Sequence, residues 1–225
     1  MPESRTSTLD FDARFAPRLY LVAMPGPIRV ADRADTAPLA ASLARAFFDD
    51  PVMSYLIPDE PTRRRRVAAF FEAALANQHL PHGACYTDTD RAGGALWDPP
   101  GHWKMSLGQI VRGAPKMIGA FGRNVPRALR LLSTVERRHP DNDHWYLAVL
   151  GTDPVHQGKG IGSALLRPIL DRCDHEGLGA YLESSKERNI AFYHRHGFSV
   201  TGEIVFPGGP TVWPMWRDPR PPQEP

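Results

Sequence analysis

Residues 151–166, GTDPVHQGKGIGSALL, lead from an apolar run into a second apolar run through Gly158, Gly160 and Gly162. Glycine at such a turn lets backbone N–H groups approach a ligand closely, and the start of the following helix adds unpaired donors and a positive dipole end. An anion belongs there, most naturally a phosphate. Spacing then excludes two common phosphate binders. A dinucleotide turn, G-x-G-x-x-G counted from Gly158, would need glycine where Ser163 stands. A nucleoside-triphosphate loop would need Ser or Thr after Lys159, and Gly160 follows it.

The pattern around this turn is α/β. Strand WYLAVLG (145–151) precedes it, a helix runs to about Glu176, and strand AYLES (180–184), a short helix over 188–196 and two strands ending near Trp216 follow. Upstream, IRVAD (28–32) reads as a strand and Asp35 or Thr36 as the cap of a helix reaching about Phe48. Val67, Phe70, Phe71, Ala74 and Leu75 recur at helical spacing, predicting a helix from Glu60 to Gln78, with strands at 84–88 and 94–97 joined at Asp90. Residues 102–139 are helical in pattern but interrupted by Gly113, Pro115, Gly119, Gly122 and Pro126, which suits a flexible helical insertion. The expected organisation is an arm over 1–26, disordered or laid over the rest, one domain over 27–217 with the insertion at about 102–140, and a proline-rich tail over 218–225.

Composition narrows the partners. A formal charge of +2 disfavours nucleic acid. The Arg63–Arg66 run points in all directions around a helix, as on a solvated face. Two cysteines, Cys85 and Cys173, support neither a disulfide framework nor a zinc pattern and fit a reducing compartment. No apolar run approaches membrane-span length and MPESRTSTLDFD lacks signal-peptide order, so a cytoplasmic chain with no membrane partner is expected.

Gln157, Gly160 and Gly162 fit Q/R-x-x-G-x-G/A, and with Asp153-Pro154-Val155 before them the segment resembles the GNAT N-acetyltransferases. Residues 144–217, about a third of the chain, resemble the puromycin N-acetyltransferase branch. The resemblance implies a GNAT fold: a mixed, mostly antiparallel central sheet of about seven strands flanked by helices, splayed between the fourth and fifth strands. It implies acetyl-CoA as co-substrate and no metal. The pantetheine arm would lie in the splay as a pseudo-strand, walled by residues 146–152 and 182–185. Backbone N–H groups of Gln157, Gly158, Lys159, Gly160, Ile161 and Gly162 would clasp the pyrophosphate, with Leu150, Thr152, Ser163 and Asn189 completing the cofactor-binding set. The Lys159 side chain adds charge from outside or stays idle in solvent. Asn189 meets the cofactor or merely caps the next helix.

Acetyl transfer to an amine needs a neutral amine, a polarised carbonyl and a proton for the thiolate. Two catalytic candidates follow, Tyr193 from the resemblance and Glu183 from its place at the end of the strand AYLES. Tyr193, in NIAFYHRHGF, would be the general acid, or chiefly a hydrogen-bond donor, since a phenol of pKa about 10 is weaker than a thiol of about 8.5. A core aromatic beside Phe192 and Phe198 is the competing explanation. Glu183 would accept the amine proton, directly or through water; alternation sets it on the face of Tyr181 and Ser185. A solvent-exposed strand-end glutamate is its rival. The carbonyl would be polarised by a backbone N–H near Leu150 at a strand bulge. His144, His194 and His196 read as surface or packing residues rather than a metal set. Trp97, Trp103, Trp145, Trp213 and Trp216 are each more readily core than ligand.

The resulting expectation is direct acetyl transfer to a primary amine of a small molecule, a puromycin-like antibiotic or related metabolite, by a monomer or homodimer. Strands at 203–216 offer an edge for pairing between subunits. The alternatives are acetylation of a protein N-terminus or lysine, and a non-catalytic CoA-binding sensor.

Overall fold

The computed structural model describes residues 26–104 and 106–220, so the expected arm, save its last residue, and most of the expected tail lie outside the described residues. Among the described residues eight strands are present: β1 (Ile28–Val30), β2 (Cys85–Asp88), β3 (Gly93–Asp98), β4 (His144–Thr152), β5 (Gly179–Ser184), β6 (Ser199–Val200), β7 (Ile204–Val205) and β8 (Thr211–Arg217). Their order is β1-β2-β3-β4-β5-β8-β6, with β7 on β8. The β4–β5 pair is parallel and every other pair antiparallel. β8 therefore lies inside the sheet, so of the segment 203–216 expected as an edge, β8 is covered by β6 and β7 while β7 keeps a free side among the described residues.

Helices cover both faces: α1 (Thr36–Ala46), α2 (Pro51–Leu56), α3 (Glu60–Ala74), α4 (Leu107–Phe121), α5 (Val125–Glu136), α6 (Ile161–Glu176) and α7 (Ile190–Arg195). Alternation along β3 sends Trp97 to one core and Leu96 to the other. On the first face α6 buries Leu165, Leu166, Ile169 and Cys173 against Trp97, Trp145 and Leu182. Each such aliphatic side chain contributes roughly 1.5–3 kcal/mol. On the second face α1 and α3 bury Leu39, Leu43, Val67 and Phe71.

Three local expectations are revised. α4 runs unbroken through Gly113, Pro115 and Gly119, and the chain turns only at Gly122, whose φ is +52°. Pro115 is tolerated because the Val111 turn it disrupts is exposed, where water satisfies the carbonyl it leaves unpaired. α2 was not expected: Asp50 caps it by accepting from Val52 and Met53 N–H, both at 3.0 Å, and Pro51 fills the first turn. The arginine run is partly structural, since Arg63 donates to Ile57 O and Arg66 to Ala120 O, each at 2.7 Å. Arg66 thereby ties α3 to α4. Among the described residues no helix is long and apolar enough to cross a membrane.

Candidate active site

Parallel pairing between β4 and β5 ends at Tyr146 opposite Tyr181. Beyond that point residues 147–152 keep β3 on one side only, while β5 stays paired to β8. A cleft of about 520 Å³ opens between them, floored by Leu147–Thr152 and Leu182–Ser185 and closed at one end by the glycine turn. The β-bulge falls at Ala148, where the register skips from Val149 to Leu147, two residues before the expected Leu150.

The turn is held by its own side chains. Gln157 Nε2 donates to Thr152 O at 3.0 Å, and Asp153 accepts from Val155 N–H while pairing with Arg45 Nε of α1 at 2.5 Å. Gly158 and Gly160 take φ of +76° and +80°, left-handed backbone that costs any side chain strain. No side chain caps α6. The first-turn N–H groups of Ile161, Gly162 and Ser163, residues that line the cleft, therefore have no intrahelical acceptor.

A second cavity of about 330 Å³ lies behind the cleft, lined by α2, α3, α4, α5 and β4 through Met53, Phe70, Met117, Phe121, Leu131 and Ala148, among others. Cleft and cavity share Phe47, Asp50, Ala148, Val149, Glu183 and Ser185. At this junction stand two carboxylates. Glu183 is 8% exposed; its Oε2 accepts from the Tyr146 hydroxyl at 2.9 Å, and its Oε1 is buried without a hydrogen-bond partner among the described residues. Asp50 is buried and accepts from the Ser185 hydroxyl besides capping α2. Burial pushes the Asp50 carboxyl up, with those hydrogen bonds acting against the shift. Tyr193 lines the cleft, and burial first, then the charge of Asp50, pushes its phenol well above the ordinary range.

A profile of the acetyltransferase (GNAT) family matches residues 46–198. The chain belongs to the GNAT family. An uncharacterised N-acetyltransferase of Schizosaccharomyces pombe is 31% identical over 177 residues, covering 71% of this chain and 68% of that protein. A Corynebacterium glutamicum structure, described as histone acetyltransferase HPA2 and related acetyltransferase, superposes with TM-score 0.68 at 28% identity, over 89% of this chain and all of that one. A Drosophila melanogaster polyamine N-acetyltransferase, described as forming N-acetylagmatine, shares the fold at TM-score 0.60 and 19% identity, over 85% and 99% of the two chains. Acetyl-CoA is the acetyl donor of this family, and the protein is an acetyltransferase.

Within this GNAT domain, Leu150, Thr152, Gln157, Gly158, Gly160, Ile161, Gly162, Ser163, Glu183, Asn189 and Tyr193 all line the cleft. Lys159 does not; its Nζ lies 3.3 Å from His156 Nδ1. Asn189 sits at the N-cap of α7 but makes no capping hydrogen bond, which removes the bland explanation of its position. Ser163 Oγ is 3.0 Å from His196 Nε2. Tyr193 is both core and cleft, 5.2 Å from Phe192 and 6.0 Å from Phe198 between ring centroids. Arg188 and Arg195 add positive charge at the cleft rim.

Of four further junction residues, the sequence marked Tyr146 only as a cleft wall and Trp103 only as an aromatic more readily core than ligand, and Asp50 and His139 not at all. Tyr146 was legible in principle: its partner in register is Tyr181, so Glu183 lies one pleat further on the same face. Asp50 carried an Asp-Pro helix-start signal. His139 and Trp103, stacked at 3.6 Å, come from an insertion with no local pattern that marks a site.

Proposed function

We propose that this acetyltransferase moves the acetyl group of acetyl-CoA to a primary amine on a small molecule with an apolar body, by direct transfer within a ternary complex. The observation that carries the reading is the shared wall of cleft and cavity: a phosphate-type turn with an extended strand edge opens, through two carboxylates, onto an apolar chamber. Among the described residues no arginine or lysine lines that chamber, so an anionic group on the acceptor would find no cationic side chain of theirs there. A cationic ammonium ending at Glu183 and Asp50 has partners. α4 and α5 roof the chamber, which favours a compact acceptor over a polypeptide.

In this mechanism the pantetheine lies along 147–152 and the pyrophosphate against residues 157–163. Glu183 accepts a proton from the ammonium, the neutral nitrogen attacks the thioester carbon, and a backbone N–H at the β4 bulge between Ala148 and Leu150 holds the carbonyl oxygen. As the C–S bond breaks, Tyr193 donates a hydrogen bond to the sulfur. Its raised phenol suits a donor that keeps its proton until charge reaches the sulfur.

A thiol-release assay with acetyl-CoA against puromycin, arylalkylamines, polyamines, aminoglycosides, amino acids and peptides, with mass spectrometry of products, tests the reading. A single acetyl on puromycin or an arylalkylamine supports it, and on puromycin also supports the branch. Turnover restricted to peptides would replace it with protein acetylation. Acetyl-CoA binding with no turnover of any amine would leave a sensor.

A further inference from the structure

The Glu183 carboxylate does not stand alone at the junction. His139, on the turn after α5, is buried, stacked on Trp103 at 3.6 Å between centroids, with its Nδ1 3.7 Å from Glu183 Oε1. Its other nitrogen, Nε2, is 3.0 Å from His144 Nε2, and His144 Nδ1 is 2.6 Å from the Asn142 carbonyl oxygen. Two imidazoles and one backbone carbonyl therefore fix where protons sit.

The chain of assignments starts at the carbonyl. A carbonyl oxygen only accepts, so His144 Nδ1 carries a hydrogen. Burial, foremost, holds His144 below the ordinary histidine range, which keeps it neutral and leaves Nε2 a bare acceptor. The contact at 3.0 Å then needs its hydrogen on His139 Nε2. Neutral His139 is thereby the Nε2–H tautomer, and its bare Nδ1 faces the oxygen of Glu183 that has no hydrogen-bond partner among the described residues. Tyr146 holds the other oxygen of Glu183 at 2.9 Å.

We propose that His139 is a second proton acceptor placed behind Glu183, its tautomer set by His144 and the Asn142 carbonyl. The inference rests on the acetyl-transfer reading above. Converting an ammonium to an amide removes two protons from nitrogen, and one carboxylate holds one. The ammonium N–H breaks and a Glu183 Oε–H forms. A side-chain shift of roughly 0.5–1 Å brings Nδ1 and Oε1, 3.7 Å apart, within hydrogen-bond reach, and that O–H then breaks as His139 Nδ1–H forms, giving an imidazolium beside a regenerated carboxylate. Glu183 is again a base when the nitrogen of the tetrahedral adduct loses its second proton: that N–H breaks as a Glu183 Oε–H forms, and the C–S bond breaks. The thiolate held by the Tyr193 hydrogen bond takes a proton from solvent, and Glu183 and His139 then return theirs to solvent. His139 acts through Glu183 and is a positioning residue in this scheme, not one that touches substrate.

The groups facing His139 are Glu183 and Tyr181 from β5 and His144 and Tyr146 from β4. Lys104 lies over the Trp103 ring it stacks on, and Glu136, Arg137 and Arg138 beside it are exposed. None of these supplies an alternative acceptor between Nδ1 and the carboxylate.

Two measurements test the inference. Long-range ¹H–¹⁵N correlation spectra of the wild-type protein read the neutral tautomers directly: Nε2–H at His139 and Nδ1–H at His144 are expected, and an Nδ1–H tautomer at His139 overturns the inference without any activity measurement. In the thiol-release assay with an alkylamine, His139→Phe keeps the stack on Trp103 and is expected to lower kcat on the order of a hundredfold near neutral pH. KM for acetyl-CoA should not change. The deficit should shrink as pH approaches the acceptor's own pKa, about 10.4 for an alkylamine, because the amine then arrives neutral and Glu183 suffices. A deficit independent of pH, or none, overturns the inference while leaving acetyl transfer intact. If the wild type turns over no amine, acetyl transfer itself fails and the inference falls with it.

Discussion

The Tyr146 hydroxyl donates to Glu183 at 2.9 Å across the point where β4 and β5 part. One bond thus links the two walls of the cleft and orients the carboxylate that the mechanism uses as base. Burial, chiefly, and then the Glu183 charge push the Tyr146 phenol well above its ordinary range, so it remains a donor throughout the working pH range.

Tyr146→Phe removes that donor and leaves a second carboxylate oxygen without a partner. Hydrogen bonds to charged groups contribute about 1.5–3 kcal/mol. A loss of kcat of roughly tenfold is expected with an unchanged KM for acetyl-CoA, read by steady-state kinetics.

Gly160 sits at φ +80° immediately before the first turn of α6. Gly160→Ala forces a side chain into left-handed backbone at about 1–2 kcal/mol. A relaxed turn would misplace the N–H groups expected to hold pyrophosphate. Calorimetric titration should show acetyl-CoA affinity falling by roughly tenfold, with far-UV circular dichroism unchanged.

Asp50 separates two roles. Asp50→Ala removes the cap of α2 and should cost about 1–2 kcal/mol, lowering Tm by roughly 2–4 °C for each kcal/mol. Asp50→Asn keeps a capping oxygen. Because burial raises the Asp50 carboxyl in the folded state, its ionisation opposes folding: that contribution to stability is full below the unfolded pKa of about 3.9 and lost as pH rises through the folded value. The asparagine variant should therefore equal or exceed the wild type in Tm at neutral pH while weakening amine binding.

Much of the domain was legible because its signals are local. The glycine turn, α6 with its apolar period and the alternation that puts Tyr181 and Glu183 on one face all lie within short windows. The junction is not local. Ser185 meets Asp50 across 135 positions and Tyr146 meets Glu183 across 37, and such contacts depend on strand order rather than on either segment. α2 is six residues long, too short to show a period. Pro115 misled for the opposite reason: breakers end helices that are buried, and Pro115 lies on an exposed stretch of α4.

Acid should act in two steps. Burial, the foremost cause in each, holds His82, His144 and His196 below the ordinary range, so the unfolded chain takes protons first and stability declines as pH falls from about 6.5 toward the folded values. Asp35 is held low, chiefly by the hydrogen bond from Arg29; its contribution is present above about pH 4 and is lost below that. Thermal melts from pH 8 to 3 should show both declines, and His144→Phe should make the first shallower.

The most direct test compares phenethylamine with phenylalanine as acceptors in the thiol-release assay at saturating acetyl-CoA. The two share a ring and a primary amine and differ in one carboxylate, which no arginine or lysine among the described residues lines the chamber to receive. A kcat/KM for phenethylamine at least a hundredfold above that for phenylalanine is expected, since an unpaired buried charge costs several kcal/mol. Equal or better turnover of phenylalanine would contradict both the chamber as the acceptor site and an apolar-bodied amine as the substrate.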